Sequence, residues 1–119
     1  MTEEQLQSQC YQWFHNTLHQ HRGMLFHVDN NSWNAVIGSK KKALGVNPGV
    51  SDFVFISFLG KVLWIEMKTE VGSQSEEQRK FQLQVTLRGH EYYVCRSFKE
   101  FQMIILTEVN RVNYDQQQS

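Results

Sequence analysis

Several features are scarce or missing in this chain of 119 residues. Its 12 lysines and arginines balance its 12 aspartates and glutamates, so it carries no net charge, and it contains only two cysteines. It also lacks a run of apolar residues long enough to span a bilayer, and we expect neither a membrane anchor nor a secretory leader. The cysteines form no zinc-binding pattern. We therefore predict that Cys10 and Cys95 are buried thiols in a reducing, cytoplasmic compartment.

The zero net charge counts against a simple nucleic-acid binder, whose surface is normally basic. It does not exclude a nuclease, because acidic ligands subtract charge that bound cations restore. With 40% hydrophobic and 13% aromatic residues, the chain can bury one core and no more. The composition therefore indicates one compact domain.

The most informative segment runs from Gly49 to Lys68 and reads GVSDFVFISFLGKVLWIEMK. Residues 53–59 and 62–67 are rich in aromatic and branched apolar side chains, and Gly60 with Lys61 makes a short break between them. This pattern predicts a β-hairpin.

The hairpin fixes where its charged residues lie. Asp52 starts one strand and Glu66 ends the other, so the two lie opposite each other or one diagonal away, about 4.5 to 8 Å apart between Cβ atoms. Glu66 and Lys68 are two residues apart and share a face of the strand, whereas Met67 points into the core. The pattern therefore predicts two carboxylates and one ammonium around a common point.

This combination suits a divalent ion and a phosphodiester. Mg²⁺ or Mn²⁺ prefers oxygen ligands and keeps several waters, which leaves positions open for phosphate oxygens and an attacking hydroxide. Asp52 and Glu66 are candidate metal ligands together with the backbone carbonyl of Met67, and Lys68 would steer or deprotonate the nucleophilic water. A turn aspartate or a solvated Glu-x-Lys is common by chance. Both carboxylates, however, interrupt apolar strands and would be costly to bury without a counter-ion.

Four short motifs in order resemble the VRR-NUC group of the PD-(D/E)XK nuclease superfamily, with small stand-alone phage and bacterial members as the nearest match. They are Gly49-Val50-Ser51-Asp52, Trp64-Ile65-Glu66-Met67-Lys68, Ser75-Glu76-Glu77-Gln78 and Leu87-Arg88-Gly89-His90. The superfamily pattern has proline before the aspartate, where this chain has Ser51. That position shapes the turn and is not a ligand.

The resemblance implies a fold, an activity and a cofactor. The fold is α/β, with a restriction-endonuclease-like α-β-β-β-α-β core and a mixed central sheet flanked by helices. The activity is Mg²⁺- or Mn²⁺-dependent hydrolysis of DNA, often at branched structures such as four-way (Holliday) junctions. The setting is a bacterial or phage-infected host cytoplasm.

The resemblance also implies further site residues. It places a glutamate of the first helix near the metal, and we prefer Glu3 to Glu4 because Glu3 lies near the buried edge of that helix. Electrostatic stabilisation of the helix N-terminus explains either glutamate equally well. A glutamine corresponding to Gln78 would hydrogen-bond the attacking water or a phosphate oxygen.

Candidate DNA contacts lie around this site. The basic run Lys40, Lys41 and Lys42 would grip the backbone, although such a run is usually just a solvated face. In similar proteins an asparagine-bearing loop borders the site, which makes Asn30 and Asn31 candidates. An exposed helix face explains Arg79 and Lys80 as well as a DNA contact does.

Periodicity and turn residues predict the remaining elements. Thr2 caps a first helix, and Ser73 or Ser75 caps the helix that follows the hairpin. We expect a nuclease domain over 1–109 and a polar, disordered tail over 110–119. The predicted helices are 3 to about 20, the one ending at Gly89, and 98 to about 108, and the other predicted strands are 24–28 and 91–95.

Three functional classes remain open. A neutral 14.1 kDa domain binds DNA weakly as a monomer, so an endonuclease of this size is expected to act as a homodimer whose two sites share one substrate. The alternatives are a non-catalytic DNA-binding or assembly module on the same fold, and a structural α/β protein without a nucleic-acid partner.

Overall fold

A computed structural model of the protein describes residues 1–29, 35–47, 49–58 and 60–118. These residues form four helices and four strands, and a short 3₁₀ helix, His19–His21, follows the first helix. In chain order the elements are α1 (Glu3–Thr17), β1 (Leu25–His27), α2 (Ala35–Ala43), β2 (Phe53–Ile56), β3 (Val62–Met67), α3 (Glu76–Leu87), β4 (Glu91–Cys95) and α4 (Phe98–Gln118).

The strands form one mixed sheet in the order β1-β2-β3-β4. The β1–β2 and β2–β3 pairs are antiparallel, whereas β3 and β4 are parallel. A parallel pair needs a crossover connection, and α3 supplies it between β3 and β4. The predicted α-β-β-β-α-β order is therefore confirmed, with α2 as an additional helix between β1 and β2.

The two faces of the sheet are covered by different helices. On one face, α1 and α4 enclose the core, where Phe14 packs edge-on against Phe55 at 5.5 Å between ring centroids. On the other face, Phe81 of α3 packs edge-on against Trp64 at 5.1 Å and against Tyr92 at 6.1 Å. Because side chains alternate along a strand, Ile65 and Met67 face the α1/α4 core and Glu66 faces the α3 side.

Side-chain caps determine where two of the helices begin. The Thr2 hydroxyl accepts the N–H of Gln5, whose side chain accepts the N–H of Thr2, and this capping box starts α1. Ser75 starts α3 in the same way with Gln78 as its partner, so Ser75 rather than Ser73 is the cap.

Two segments differ from the expectations of the sequence. Helix α4 continues to Gln118, so the tail over 110–119, which we expected to be disordered, is helical as far as the described residues reach. Glutamine is polar but a good helix former, and a polar composition alone does not end a helix. The three lysines that the sequence suggested as a DNA contact or a solvated run lie on α2, a helix that was not predicted.

Both cysteines are buried in the core and carry free thiols, as predicted. Burial raises the pKa of the Cys10 thiol to about 12 and that of Cys95 to about 11, so both stay protonated at neutral pH. Among the helices described, none combines the length and apolar character needed to cross a bilayer.

Candidate active site

Asp52 lies immediately before β2, at the end of a turn that is held by hydrogen bonds. Buried Ser51 donates its hydroxyl to the carbonyl of Phe53 at 3.1 Å, which fits the turn-shaping role expected for this position. The β2–β3 register pairs Phe53 with Ile65, and continued by one residue it places Asp52 opposite Glu66. Asp52 Oδ2 accepts the backbone N–H of Met67 at 2.7 Å, which fixes the carboxylate across the hairpin.

Glu66 is a charged residue in the interior of the sheet, where it is 0% exposed. Its Oε1 accepts the Tyr92 hydroxyl at 3.0 Å, across the parallel β3–β4 pair. Its Oε2 is buried and has no hydrogen-bond partner in the described structure. A buried carboxylate oxygen without a donor costs free energy unless a cation offsets its charge.

The electrostatics of the pair follow from this burial. Desolvation raises the pKa of the Asp52 carboxyl above its ordinary value, although the Met67 N–H opposes that rise. Desolvation likewise raises the pKa of Glu66, opposed by the Tyr92 hydrogen bond and the Lys68 ammonium. Burial and the adjacent Glu66 raise the pKa of Tyr92, so the phenol keeps its proton and remains a donor. The two carboxylates repel each other, and a divalent ion would relieve that repulsion.

Lys68 follows β3, and its charge acts on both carboxyls, lowering the pKa of each. Its backbone N–H donates to the carbonyl of Cys95 at 2.9 Å, which extends the β3–β4 pairing. The loop after it is held by Arg96, whose guanidinium donates to the carbonyl of Thr69 at 2.9 Å and also to that of Gly72. The structure therefore groups the three residues that the hairpin pattern singled out.

Gln74 was missed by the sequence analysis. Its amide nitrogen lies 3.5 Å from the Tyr92 hydroxyl and donates to Gln82 at 2.9 Å, and its side chain also lowers the pKa of Glu66. It sits in a loop before the α3 cap, where no periodicity marks a functional residue. Gln78, chosen from the resemblance, uses its side-chain oxygen in the capping box. A role for Gln78 at the phosphate stays a prediction.

Glu3 is exposed at the start of α1, and its charge raises the pKa of Asp52. It therefore lies close enough to Asp52 to act on it electrostatically. No group of three or more histidine, cysteine, aspartate or glutamate side chains within the described ranges is arranged to hold a metal ion. The predicted ligand role of Glu3 stays a prediction.

The candidate DNA contacts are distributed over two helices. Lys40 and Lys42 are exposed on α2, and Lys41 lies 3.9 Å from Asp29 in an ion pair. On α3, Arg79 donates to the carbonyl of Gln74 at 2.8 Å, and Lys80 pairs with Glu76 at 3.4 Å. Asn30 and Asn31 lie outside the described residues.

The donor set nevertheless fits a hard divalent cation. Two carboxylates face each other across the hairpin, one oxygen of Glu66 lacks a partner, and carboxylate oxygens are the ligands that Mg²⁺ and Mn²⁺ prefer. Asp52 and Glu66 would hold the ion, together with the Met67 carbonyl.

The mixed sheet, helices on both faces, and a carboxylate pair beside a lysine together define an α/β domain of nuclease-like build. The family model described as the VRR-NUC domain matches residues 1–99. The chain therefore belongs to the VRR-NUC family and carries a nuclease-like domain.

A solved structure described as a VRR_NUC domain protein has the same fold. It matches with a TM-score of 0.75 at 17% sequence identity, over 92% of this chain and 89% of the other. At this identity the match establishes the fold alone. A search of curated protein sequences gives no significant match.

Proposed function

We propose that this domain is a Mg²⁺- or Mn²⁺-dependent endonuclease that hydrolyses DNA phosphodiester bonds, with a preference for branched DNA such as four-way junctions. The observation that carries the proposal is the fully buried Glu66, which keeps one oxygen unpaired opposite Asp52. Most buried polar atoms in proteins have a hydrogen-bond partner, so the unpaired oxygen opposite a second carboxylate supports a cation ligand. Membership of the VRR-NUC family supports the nuclease class.

The proposed mechanism assigns a separate task to each side chain. Asp52 and Glu66 would hold the ion, which when bound would lower the pKa of a water and neutralise charge on the phosphate. Tyr92 holds Glu66 in one orientation by donating to Oε1, so the free oxygen keeps its direction. Lys68 would orient or deprotonate the attacking water and stabilise the negative charge that develops on the phosphate oxygens.

The preference for branched DNA and the homodimer rest on size and charge. A neutral domain of 14.1 kDa gains little affinity from phosphate contacts, and two copies on one substrate would supply the missing affinity. Two-fold symmetry would also allow paired cuts in opposed strands of a junction. Sedimentation that shows only monomer at working concentration, with and without junction DNA, would contradict this part of the proposal.

One observation favours the non-catalytic alternative. In the described parts of the chain, no three or more histidine, cysteine, aspartate or glutamate side chains are grouped so that they could hold a metal ion. Under that alternative the domain would bind DNA without cutting it. The two readings differ in whether metal-dependent cleavage occurs.

The test is a cleavage assay on supercoiled, single-stranded, flap and four-way-junction DNA, with Mg²⁺ or Mn²⁺ and with or without chelator. The wild type is expected to cut, and Glu66→Gln and Lys68→Ala are each expected to lose at least about 100-fold in rate. Glu77→Gln and Lys99→Ala change the same residue types at exposed helix positions and are expected to cut normally. Cleavage that survives chelator and the first two variants would overturn the mechanism.

A further inference from the structure

A groove of about 520 Å³ lies between α1 and the edge strand β1. The buried side chains of Leu25 and Phe53 contribute to its lining. The α1 side is formed by residues one helical turn apart, so that they share a face of the helix: Glu4, Gln7, Ser8 and Tyr11. From Glu4 to Tyr11 the helix rises about 10 Å, which is too short for a duplex and suits one or two nucleotides.

Two aromatic residues line the groove: Tyr11 on its α1 side, and Phe26, which alternates with Leu25 and His27 on β1 and lies at the open edge of the sheet. Tyr11 is 41% exposed and Phe26 is 42% exposed, although both are large apolar groups. The Tyr11 ring also stacks on His15, at 6.1 Å between ring centroids, which restricts its orientation. Exposed rings of this kind bind the flat faces of nucleobases.

The polar groups of the groove favour a base over a phosphate. Glu4 supplies only hydrogen-bond acceptors and would repel a phosphate, whereas Gln7, Ser8 and His27 can each donate or accept. None of the described lining residues is a lysine or an arginine. The lining therefore complements a neutral, planar group that carries hydrogen-bonding groups on its edge.

The groove joins the candidate active site through His27. The carbonyl of Asp52 accepts the N–H of Val28 at 2.9 Å, and His27 Nδ1 lies 2.8 Å from the same oxygen. Since a carbonyl oxygen only accepts, Nδ1 carries a proton and is a donor here. The Gln7 amide nitrogen lies 3.0 Å from the same Nδ1, which cannot accept from it while donating to Asp52, so α1, β1 and the Asp52 turn meet at one end of the groove.

We propose that this groove binds an unpaired nucleobase of the strand whose phosphate lies at Asp52 and Glu66. The location of that phosphate rests on the proposed function. A base can enter a cleft between a helix and an edge strand only when it has left its base pair. The groove would therefore select DNA with an unpaired nucleotide next to the cut, which flaps, junction branch points and single strands supply.

The test measures binding without cleavage. Fluorescence anisotropy with Glu66→Gln protein and Mn²⁺ compares a flap DNA, the same flap with an abasic site at each of the first arm nucleotides, and a fully paired duplex. In the Glu66→Gln background, Tyr11→Ala combined with Phe26→Ala is expected to weaken binding of the intact flap about 5- to 150-fold, the range typical of one base–aromatic stack. Binding of the duplex is expected to stay unchanged.

The abasic flap and a matched variant provide the controls. One abasic position is expected to weaken binding to the parent protein and to have no further effect in the double variant, because both changes remove the same contact. Phe58→Ala removes another exposed aromatic ring, 62% exposed and outside the groove, and is expected to leave flap binding unchanged. Equal losses on flap and duplex, or a double variant that binds the flap normally, would overturn the proposal. If the groove instead binds a peptide strand along the β1 edge, DNA binding will not depend on the base. That result would also overturn the proposal.

Failure of this inference can be told apart from failure of the proposed function. In one outcome, the wild type cuts flap DNA while the double variant keeps the wild-type ratio of flap to duplex cleavage. That result overturns the groove assignment and leaves the nuclease proposal intact. A wild type that cuts no DNA, yet binds the base through Tyr11 and Phe26, supports the groove and overturns the nuclease.

Discussion

At the scale of single residues, Glu66 and Tyr92 form the unit that holds the candidate site together. The phenol donates to one carboxylate oxygen and leaves the other without a partner. The two residues are far apart in sequence, and the parallel β3–β4 pairing brings them together. Two predictions belong to this pair.

Tyr92→Phe removes only the hydroxyl and keeps the ring that packs on Phe81. We expect Mn²⁺ affinity to fall about 10-fold or more, because the carboxylate loses the donor that orients it. Isothermal titration of Mn²⁺ into DNA-free protein measures this effect. Tyr93→Phe is the matched control on the opposite face of β4, and its isotherm is expected to match the wild type. An unchanged isotherm for Tyr92→Phe would contradict the positioning role.

Glu66→Gln tests the cost of the buried charge in metal-free protein. The pKa of Glu66 in the folded protein is raised above its ordinary value of 4.5, so folding favours the protonated side chain. The stability that this side chain contributes is fully present below pH 4.5 and is lost as the pH rises through the folded-state pKa. The variant is therefore expected to exceed the wild type in unfolding free energy at pH 7, and to lose that advantage near pH 4. Urea unfolding in chelator at both pH values measures the difference.

The exposed Glu77 provides the control for that experiment. Glu77→Gln is expected to give no stabilisation at pH 7, because its carboxylate is already in water. A Glu66→Gln protein that is less stable than the wild type at both pH values would show that the buried charge has a compensating partner.

At the scale of elements, the site depends on how the turn before β2 meets α3. A Cβ added to Gly49 would lie 2.3 Å from the backbone oxygen of Glu77, in the first turn of that helix. Backbone cannot move aside as a flexible side chain can. The close approach explains why glycine opens the motif that ends in Asp52.

Gly49→Ala is expected to cost about 1 to 3 kcal/mol of unfolding free energy and to weaken Mn²⁺ binding, because the turn that carries Asp52 must shift. Gly60→Ala is the control. Its φ of +72° carries a left-handed penalty of about 1 to 2 kcal/mol, but nothing lies within 4 Å of an added Cβ. Thermal unfolding and Mn²⁺ titration separate the two, since only Gly49→Ala is expected to alter metal binding. Identical isotherms for both variants would contradict the argument.

At the scale of the whole molecule, zero net charge limits how strongly the surface attracts DNA. Several basic side chains already have acidic partners: Lys41 pairs with Asp29, Lys61 with Glu91, Lys80 with Glu76 and Arg111 with Glu108. Under the proposed function, attraction to the phosphate backbone would depend on the remaining exposed cations, and the shape of the DNA would supply much of the selectivity.

Lys40→Ala combined with Lys42→Ala is expected to weaken binding of all DNA shapes alike and to reduce the slope of log affinity against log salt by about 2. Lys99→Ala combined with Arg88→Ala removes the same charge from α4 and the end of α3, and is expected to leave the slope unchanged. Anisotropy titrations at several salt concentrations measure both. An unchanged slope for the α2 variant would show that these lysines are only a solvated face.

The fold and half of the candidate site could be predicted because their signals are local. Two runs of aromatic and branched apolar residues with a break at Gly60 and Lys61 predicted the hairpin, and period-2 geometry put Glu66 and Lys68 on one face with Met67 on the other. Thr2 and Ser75 begin helices through contacts within three residues. Helix α2 and the length of α4 were not predicted, because polar and charged composition does not distinguish a solvated helix from a loop or a tail.

What the sequence by itself determined is therefore the order of elements and the three charged residues of the hairpin. Only the tertiary structure decided that Tyr92 donates to Glu66, that Gln74 rather than Gln78 reaches this pair, and that His27 links Asp52 to a groove beside α1. The physical reason is distance along the chain. Contacts between residues many positions apart depend on how strands pair and helices dock, and no local pattern records them.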